Sequence, residues 1–145
     1  MTTYFLDTNI FMYAAGREHP LKVPCVEILR QVAEETLDVL VNTEVLQEIL
    51  YRYGAIGELE KGLRLANLAV DQVGGNVLPV TLADMQLAFE LMRQYGTSVK
   101  SRDAVHAATM LNNDLTYILS ADRHFDQIES ITRLALHQAA ELHES

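Results

Sequence analysis

The sequence predicts an α/β fold built on a small, mostly parallel sheet of four or five strands flanked by helices. Three observations carry this reading. Short apolar runs alternate with longer stretches of helical period along the whole chain, the pattern of repeated strand–helix crossovers. The helical stretches outweigh the strands, so the sheet is small. No internal repeat, low-complexity tract or Pro/Gly/Ser-rich linker interrupts the 145 residues, so 1–145 read as a single domain.

Residues 4–6 form the first strand, stopped by the turn-forming Asp7-Thr8-Asn9, with Asn9 placed to cap a helix through Ile10, Phe11, Met12 and Tyr13. A helix over 21–35 follows Pro20 and puts Ile28, Leu29 and Val32 on one stripe. Residues 38–41 are the second strand. Thr43 then caps a helix whose apolar face is Leu46, Ile49, Leu50 and Tyr53, with Gly54 as its stop. The next helix covers 58–72, with Leu59, Leu63, Ala66 and Val70 at helical spacing. Gly74-Gly75 turns the chain into a short strand over 76–78. Thr81 caps a helix carrying Met85, Ala88, Phe89 and Met92, which Gly96 closes, and Ser101 caps another over 102–111. Strands over 117–119 and through Arg133 and Leu134 complete the series.

Composition sets the outer bounds. At 49% hydrophobic and 21% charged residues the chain folds rather than staying disordered. Twenty Asp plus Glu against 11 Lys plus Arg give a formal charge of −9, which excludes binding nucleic acid through a broad basic face. Cys25 is the only cysteine, so a disulfide scaffold is excluded, and among Val23, Val26 and Ile28 it reads as a small core residue. No apolar run approaches the ~18 residues of a membrane span. The N-terminus lacks a basic lead and carries Asp7 in its apolar stretch, so the expectation is a soluble, cytoplasmic protein with no membrane partner.

Parallel α/β sheets gather their chemistry outside the carboxyl ends of the strands. Asp7 directly follows the first strand, Glu44 and Glu48 lie in the helix after the second, Asp122 and Asp126 follow the strand over 117–119, and Asp103 opens a helix. Each has a plainer reading: Asp7 as a turn former, Asp103 as a complement to the helix dipole, the others as solvated acids. Their shared placement is the stronger signal. Three or four carboxylates with no matching His or Cys set suit a hard ion, Mg²⁺ or Mn²⁺. Glu44 and Glu48 are one turn apart on the side opposite Leu46 and Leu50, and periodicity does not choose between them. His106, one turn after Asp103, reads as a packed histidine rather than a ligand, and His19, His137 and His143 belong to no constellation.

Four segments together resemble a known family. Phe5-Leu6-Asp7-Thr8-Asn9-Ile10 is similar to the opening of the PIN-domain family, and Leu46-Gln47-Glu48-Ile49-Leu50-Tyr51 resembles its second motif. Arg102-Asp103-Ala104-Val105-His106-Ala107-Ala108 resembles the third, and the run from Leu119 to Asp126 the closing motif. Size and single-domain make-up most resemble the VapC-like toxins of bacterial and archaeal toxin–antitoxin pairs. The resemblance implies a three-layer PIN-like sandwich and a metal-dependent ribonuclease acting on RNA, restrained by a small antitoxin, with a homodimer favoured. It also favours Glu48 over Glu44, making Asp7, Glu48, Asp103 and Asp122 the catalytic and metal-holding set. Thr8 or Asn9 would orient the first carboxylate, and Ser120 or Asp126 would support the last. The stretch 59–75 matches no motif.

Phosphodiester cleavage needs charge stabilised on the phosphoryl oxygens and a nucleophile near neutral pH, and a carboxylate-held Mg²⁺ or Mn²⁺ supplies both. The sequence does not choose between one ion and two. Without metal, the clustered acids repel, so at least one pKa is expected to rise. Lys100 and Arg102 flank Asp103, and Arg123-His124 follow Asp122, so these cations are candidate phosphate contacts. An antitoxin would enter a groove between helices with a cation directed at the acids. Two competing readings stand beside this one: a catalytically inactive PIN-like interaction module, and a small-molecule phosphohydrolase using Asp7 as nucleophile. The second would want an Asp at position 9, where this chain has Asn9.

Overall fold

A computed structural model describes residues 2–142. Strand β1 (Thr3–Leu6) is central because it is apolar on both faces: Tyr4, Phe5 and Leu6 are successive and all buried, and successive strand residues point to opposite sides. β2 (Asp38–Asn42) and β3 (Val77–Leu78) extend the sheet on one side, β4 (Tyr117–Leu119) and β5 (Thr132–Leu134) on the other, giving the order β3-β2-β1-β4-β5 with every pairing parallel. In register, Phe5 stands opposite Leu40 and Ile118. The order of the strands reverses at β1, so the crevice between the ends of β1 and β4 is the topological switch point where such sheets bind ligands.

Seven α-helices flank the sheet among the described residues: α1 (Thr8–Ala15), α2 (Lys22–Ala33), α3 (Thr43–Ala55), α4 (Leu59–Gln72), α5 (Leu82–Tyr95), α6 (Ser101–Asn112) and α7 (Leu136–Ala139). Short 3₁₀ turns occupy 96–98 and 123–127. The small-sheet α/β expectation holds, with five strands. α7 was not anticipated, since four residues are too few to show a period.

Helix ends and faces differ from expectation in ways that bear on the site. Asp7, not Asn9, caps α1, and Asn42, not Thr43, caps α3 by accepting from the Val45 N–H at 3.0 Å. The freed Thr43 hydroxyl accepts from the Val80 N–H instead, at 3.1 Å, fastening β3's exit to α3. α3 runs past Gly54 to Ala55, and Ser101 is the first residue of α6 rather than its cap. Thr81 does cap α5, in a reciprocal capping box with Asp84, whose other carboxylate oxygen accepts from Asn112 at 2.8 Å and joins α5 to α6. Cys25 is buried as expected, and burial pushes its thiol up to about 12.

The buried faces of α3 and α4 are rotated from the expected stripes. On α3 it is Val45, Glu48, Ile49 and Tyr53 that are buried; on α4, Gly62, Leu65 and Ala69, while Leu59 and Leu63 are exposed. Gly62 is the hinge of that packing. A Cβ there would stand 2.7 Å from Cβ of Tyr53, so only glycine lets the two helices approach this closely. Gly62→Ala is therefore expected to destabilise by about 1–2 kcal/mol despite alanine's better helix propensity. Gly54→Ala, with nothing within 4 Å of the new Cβ, is expected to stabilise by about 0.5–1 kcal/mol. Urea unfolding of the pair checks both signs.

Candidate metal centre and cleft

Asp7 lies where β1 becomes α1. Its Oδ1 accepts from the Thr8 N–H at 2.8 Å, and its Oδ2 accepts from the Ser120 hydroxyl at 2.5 Å and from Asn9 Nδ2 at 3.3 Å. Thr8 thus acts through its backbone and Asn9 through its amide, and together with Ser120 they hold the carboxylate in one orientation. Burial pushes the Asp7 carboxyl above its ordinary range, against the opposing pull of His106 and Ser120.

Glu48 reaches the same place from α3. Its Oε1 lies 2.6 Å from His106 Nε2, and its Oε2 lies 3.9 Å from Arg102 Nε. Glu44 is half-buried and outside the cleft lining, and partial burial together with the Glu48 charge raises its carboxyl pKa. His106 is fully buried, its ring 5.3 Å from that of Phe5, so the packed reading holds, yet its Nε2 is also 3.7 Å from Asp7 Oδ1. Burial works against protonation of this imidazole, and the Glu48 hydrogen bond with the charges of Asp7, Glu48 and Asp103 outweighs it, raising the pKa.

Asp103, in the first turn of α6, is 1% exposed, and its Oδ2 has no hydrogen-bond partner among the described residues. Burial, then the neighbouring charges of Asp122 and Asp7, push its carboxyl up to about 6. Burial is the larger cause, and the repulsion among clustered acids expected from the sequence adds to it. Asp122 caps the 3₁₀ turn over 123–127, accepting from the His124 N–H at 2.9 Å, while its own N–H donates to Ser120 Oγ at 2.9 Å. Ser120 therefore positions both Asp7 and Asp122. His124 Nδ1 lies 3.0 Å from Asp122 Oδ1 and 3.4 Å from Asp103 Oδ2. The expectation of carboxylates without matching histidines is thus corrected: the acids form two groups, Asp7–Glu48–His106 and Asp103–Asp122–His124, each with donor atoms within 4.8 Å of one another.

Asp126 stands outside this cluster. It takes a two-pronged grip from Arg133, at 2.9 and 3.1 Å, and Arg133 also donates to the Ser120 carbonyl at 3.0 Å. Its support for the closing acid is indirect, through the segment 120–126 that Arg133 staples to β5. Arg133→Gln is expected to lower stability by about 1–2 kcal/mol, most of it from the Ser120 bond because Asp126 is half exposed. Arg133→Lys is expected to restore little, since an ammonium cannot span both partners. Thermal melts of the two variants test this.

All four acids line one cleft of about 300 Å³. Of the candidate cations, Arg102 stands at its wall with Arg17 and Arg52, which the sequence reading did not single out, whereas Lys100 and Arg123 are exposed and outside the lining. Arg52 was findable, being one helical turn after Glu48; Arg17, in the loop after α1, was not. His19 also lines the cleft, its ring 4.6 Å from that of Tyr13, although it had no constellation in the sequence. His137 is exposed and outside the lining, and His143 lies outside the described residues. The donor set fits a divalent cation: oxygen-rich, crowded with like charge, and containing an unpartnered buried carboxylate oxygen.

The PIN domain matches residues 4–131, from β1 to the threshold of β5. This chain belongs to the PIN-domain family. Among curated relatives of this family member, the ribonuclease VapC13 of Mycobacterium tuberculosis is 37% identical over 130 residues, covering 90% of this chain and 98% of that protein. Ribonuclease VapC23 of the same organism is 32% identical over 121 residues, covering 81% and 91%. The fold is similar to that of VapBC2 from Rickettsia felis, solved bound to a DNA fragment from its promoter, with a TM-score of 0.70, 14% identity, and 92% and 98% of the two chains covered. It is also similar to M. tuberculosis VapC20, described as a sarcin-ricin loop cleaving toxin, with a TM-score of 0.71, 16% identity, and 87% and 95% covered. No helix of the described residues is long and apolar enough to cross a membrane.

Proposed function

We propose that this PIN-domain chain is a divalent-metal-dependent endoribonuclease and the toxin of a toxin–antitoxin pair, acting on RNA in the cytoplasm. The observation that carries the reading is the convergence of Asp7, Glu48, Asp103 and Asp122, from four separate elements, on one arginine-walled cleft. Relatives named as ribonucleases, matched over nearly their whole length, support it. Asp7, Glu48, Asp103 and Asp122 would hold Mg²⁺ or Mn²⁺. When bound, such an ion neutralises phosphoryl oxygens and lowers the pKa of a coordinated water. Arg17, Arg52 and Arg102 bind the RNA phosphates that flank the scissile one, Ser120 and Asn9 keep Asp7 aimed, and His106 keeps Glu48 aimed. Because both Asp7 oxygens already accept hydrogen bonds, the carboxylate suits a fixed ligand better than a nucleophile.

The partner reading follows from exposed apolar surface. The furrow between α1, α2 and α4, lined by Val26, Leu29, Leu65 and Leu68, suits an antitoxin helix. Leu82, Phe89 and Met92 present an exposed stripe on α5 that suits a homodimer. The test is cleavage of RNA by the purified chain, freed of any partner, with Mg²⁺ or Mn²⁺ and with EDTA. Metal-dependent internal cleavage, lost in Asp7→Asn, is the expected result. RNA left intact with both metals removes the enzyme reading and leaves the interaction module.

A further inference from the structure

We infer that His124 is a nitrogen ligand of the metal site beside Asp103 and Asp122, and that it biases the site toward Mn²⁺ over Mg²⁺. The inference rests on the metal-dependent reading above and deepens it. Although the His124 ring is 40% exposed, its Nδ1 is buried and turned inward, 3.0 Å from Asp122 Oδ1 and 3.4 Å from Asp103 Oδ2. These distances are short, yet neither Nδ1 nor Asp103 Oδ2 has a partner in hydrogen-bond geometry. Close acceptor atoms that do not pair with one another are free to share a third partner. Adjacent donors around an octahedral ion with bonds of about 2.1 Å stand about 3 Å apart, and opposite donors about 4 Å. The three donors, all within 4.8 Å of one another, fit one such sphere.

The backbone holds this arrangement. Asp122 accepts from the His124 N–H at 2.9 Å, which fixes the Asp-x-His spacing at the start of the 3₁₀ turn. Asp103 comes from α6 with 1% of its surface exposed, so its free oxygen opens onto the other two donors rather than onto bulk water. His106 belongs to the other group, with Asp7 and Glu48, where its Nε2 lies 2.6 Å from Glu48 Oε1. An imidazole nitrogen is a ligand that Mn²⁺ accepts readily, while Mg²⁺ holds to oxygen donors and water. Replacing it therefore costs Mn²⁺ affinity more than Mg²⁺ affinity.

The full chain, stripped with EDTA, is titrated with Mn²⁺ and with Mg²⁺ by calorimetry, and nitrogen coupling to bound Mn²⁺ is recorded by electron spin-echo modulation. The wild type is expected to show ¹⁴N coupling that survives in His106→Asn and disappears in His124→Ala. His124→Ala is expected to weaken Mn²⁺ by about tenfold or more and Mg²⁺ by less than about threefold. Mn²⁺ bound without nitrogen coupling, coupling that survives His124→Ala, or equal losses for both ions would overturn the inference while leaving the metal site standing. Absence of saturable binding in the wild type, or binding indifferent to Asp103→Asn, overturns the metal reading and this inference with it.

Discussion

Asp103→Asn is expected to lower RNA cleavage at saturating Mn²⁺ by two to three orders of magnitude while the chain stays folded. The substitution keeps the shape and replaces one acceptor oxygen by an amide nitrogen that only donates. At a surface position that exchange is minor. Here the side chain is 1% exposed, one of its oxygens has no protein partner, and Asp122 and Asp7 stand close enough to raise its pKa. The proposed cation would partner this oxygen, and losing several kcal/mol of charge stabilisation in the transition state corresponds to roughly a hundred- to thousandfold in rate. The loss is expected in kcat, since the arginines proposed to hold flanking phosphates are untouched. Glu44→Gln is the matched control: Glu44 lies on the same helix as Glu48 but outside the cleft lining, and its variant is expected to cleave within about twofold of wild type. Single-turnover cleavage of a labelled RNA measures both. An Asp103→Asn enzyme within threefold of wild type would remove Asp103 from the site.

Asp7, Asp103 and Asp122 were legible in the sequence because parallel topology carries the ends of strands, and the helices that follow them, to one edge of a sheet. Glu48 was not legible from periodicity. Leu46 and Leu50 suggested that it faces solvent, whereas they are half-buried and Glu48 turns inward to His106. α3 and α4 carry more apolar residues than the core accepts, so counting apolar positions rotated both helices. Tyr51, Ile56, Leu59, Leu63 and Leu68 are the surplus, all exposed. Which cations line the cleft was hidden for a related reason. Lys100 and Arg123 adjoin Asp103 or Asp122 in a few residues of chain, but neighbours along a helix or turn point in different directions, while Arg52, a full turn from Glu48, shares its side. His106 carried a usable signal, being one turn from Asp103 on α6. His124 was singled out as a cation beside Asp122, but its closeness to Asp103 depends on the 3₁₀ turn that Asp122 caps, which the sequence did not reveal.

The same Asp103→Asn change is expected to stabilise the metal-free protein at pH 7.5, by about 2–3 kcal/mol, and to leave it unchanged near pH 4. Asp103 in the folded chain titrates at about 6, above the value near 4 of an unfolded chain. Between those values the folded state keeps a proton that the unfolded state has released. The stability tied to that proton is whole below about pH 4 and is lost as pH rises through about 6. Asp7, also raised, acts in the same direction. His106, raised as well, extends the decline upward, since its contribution is whole below the ordinary histidine value near 6.5 and is lost as pH climbs through its higher folded value. Asparagine has no proton to lose and escapes the first part of the decline. In thermal melts with EDTA, wild type and variant should coincide near pH 4 and separate by roughly 5–10 °C at pH 7.5. Mn²⁺ at pH 7.5 should then raise the wild-type Tm and leave the variant's nearly fixed, because a ligand stabilises only the fold that binds it. An acid that costs the empty protein stability and returns it on loading is there for the ion, and a structural carboxylate would show the opposite slope.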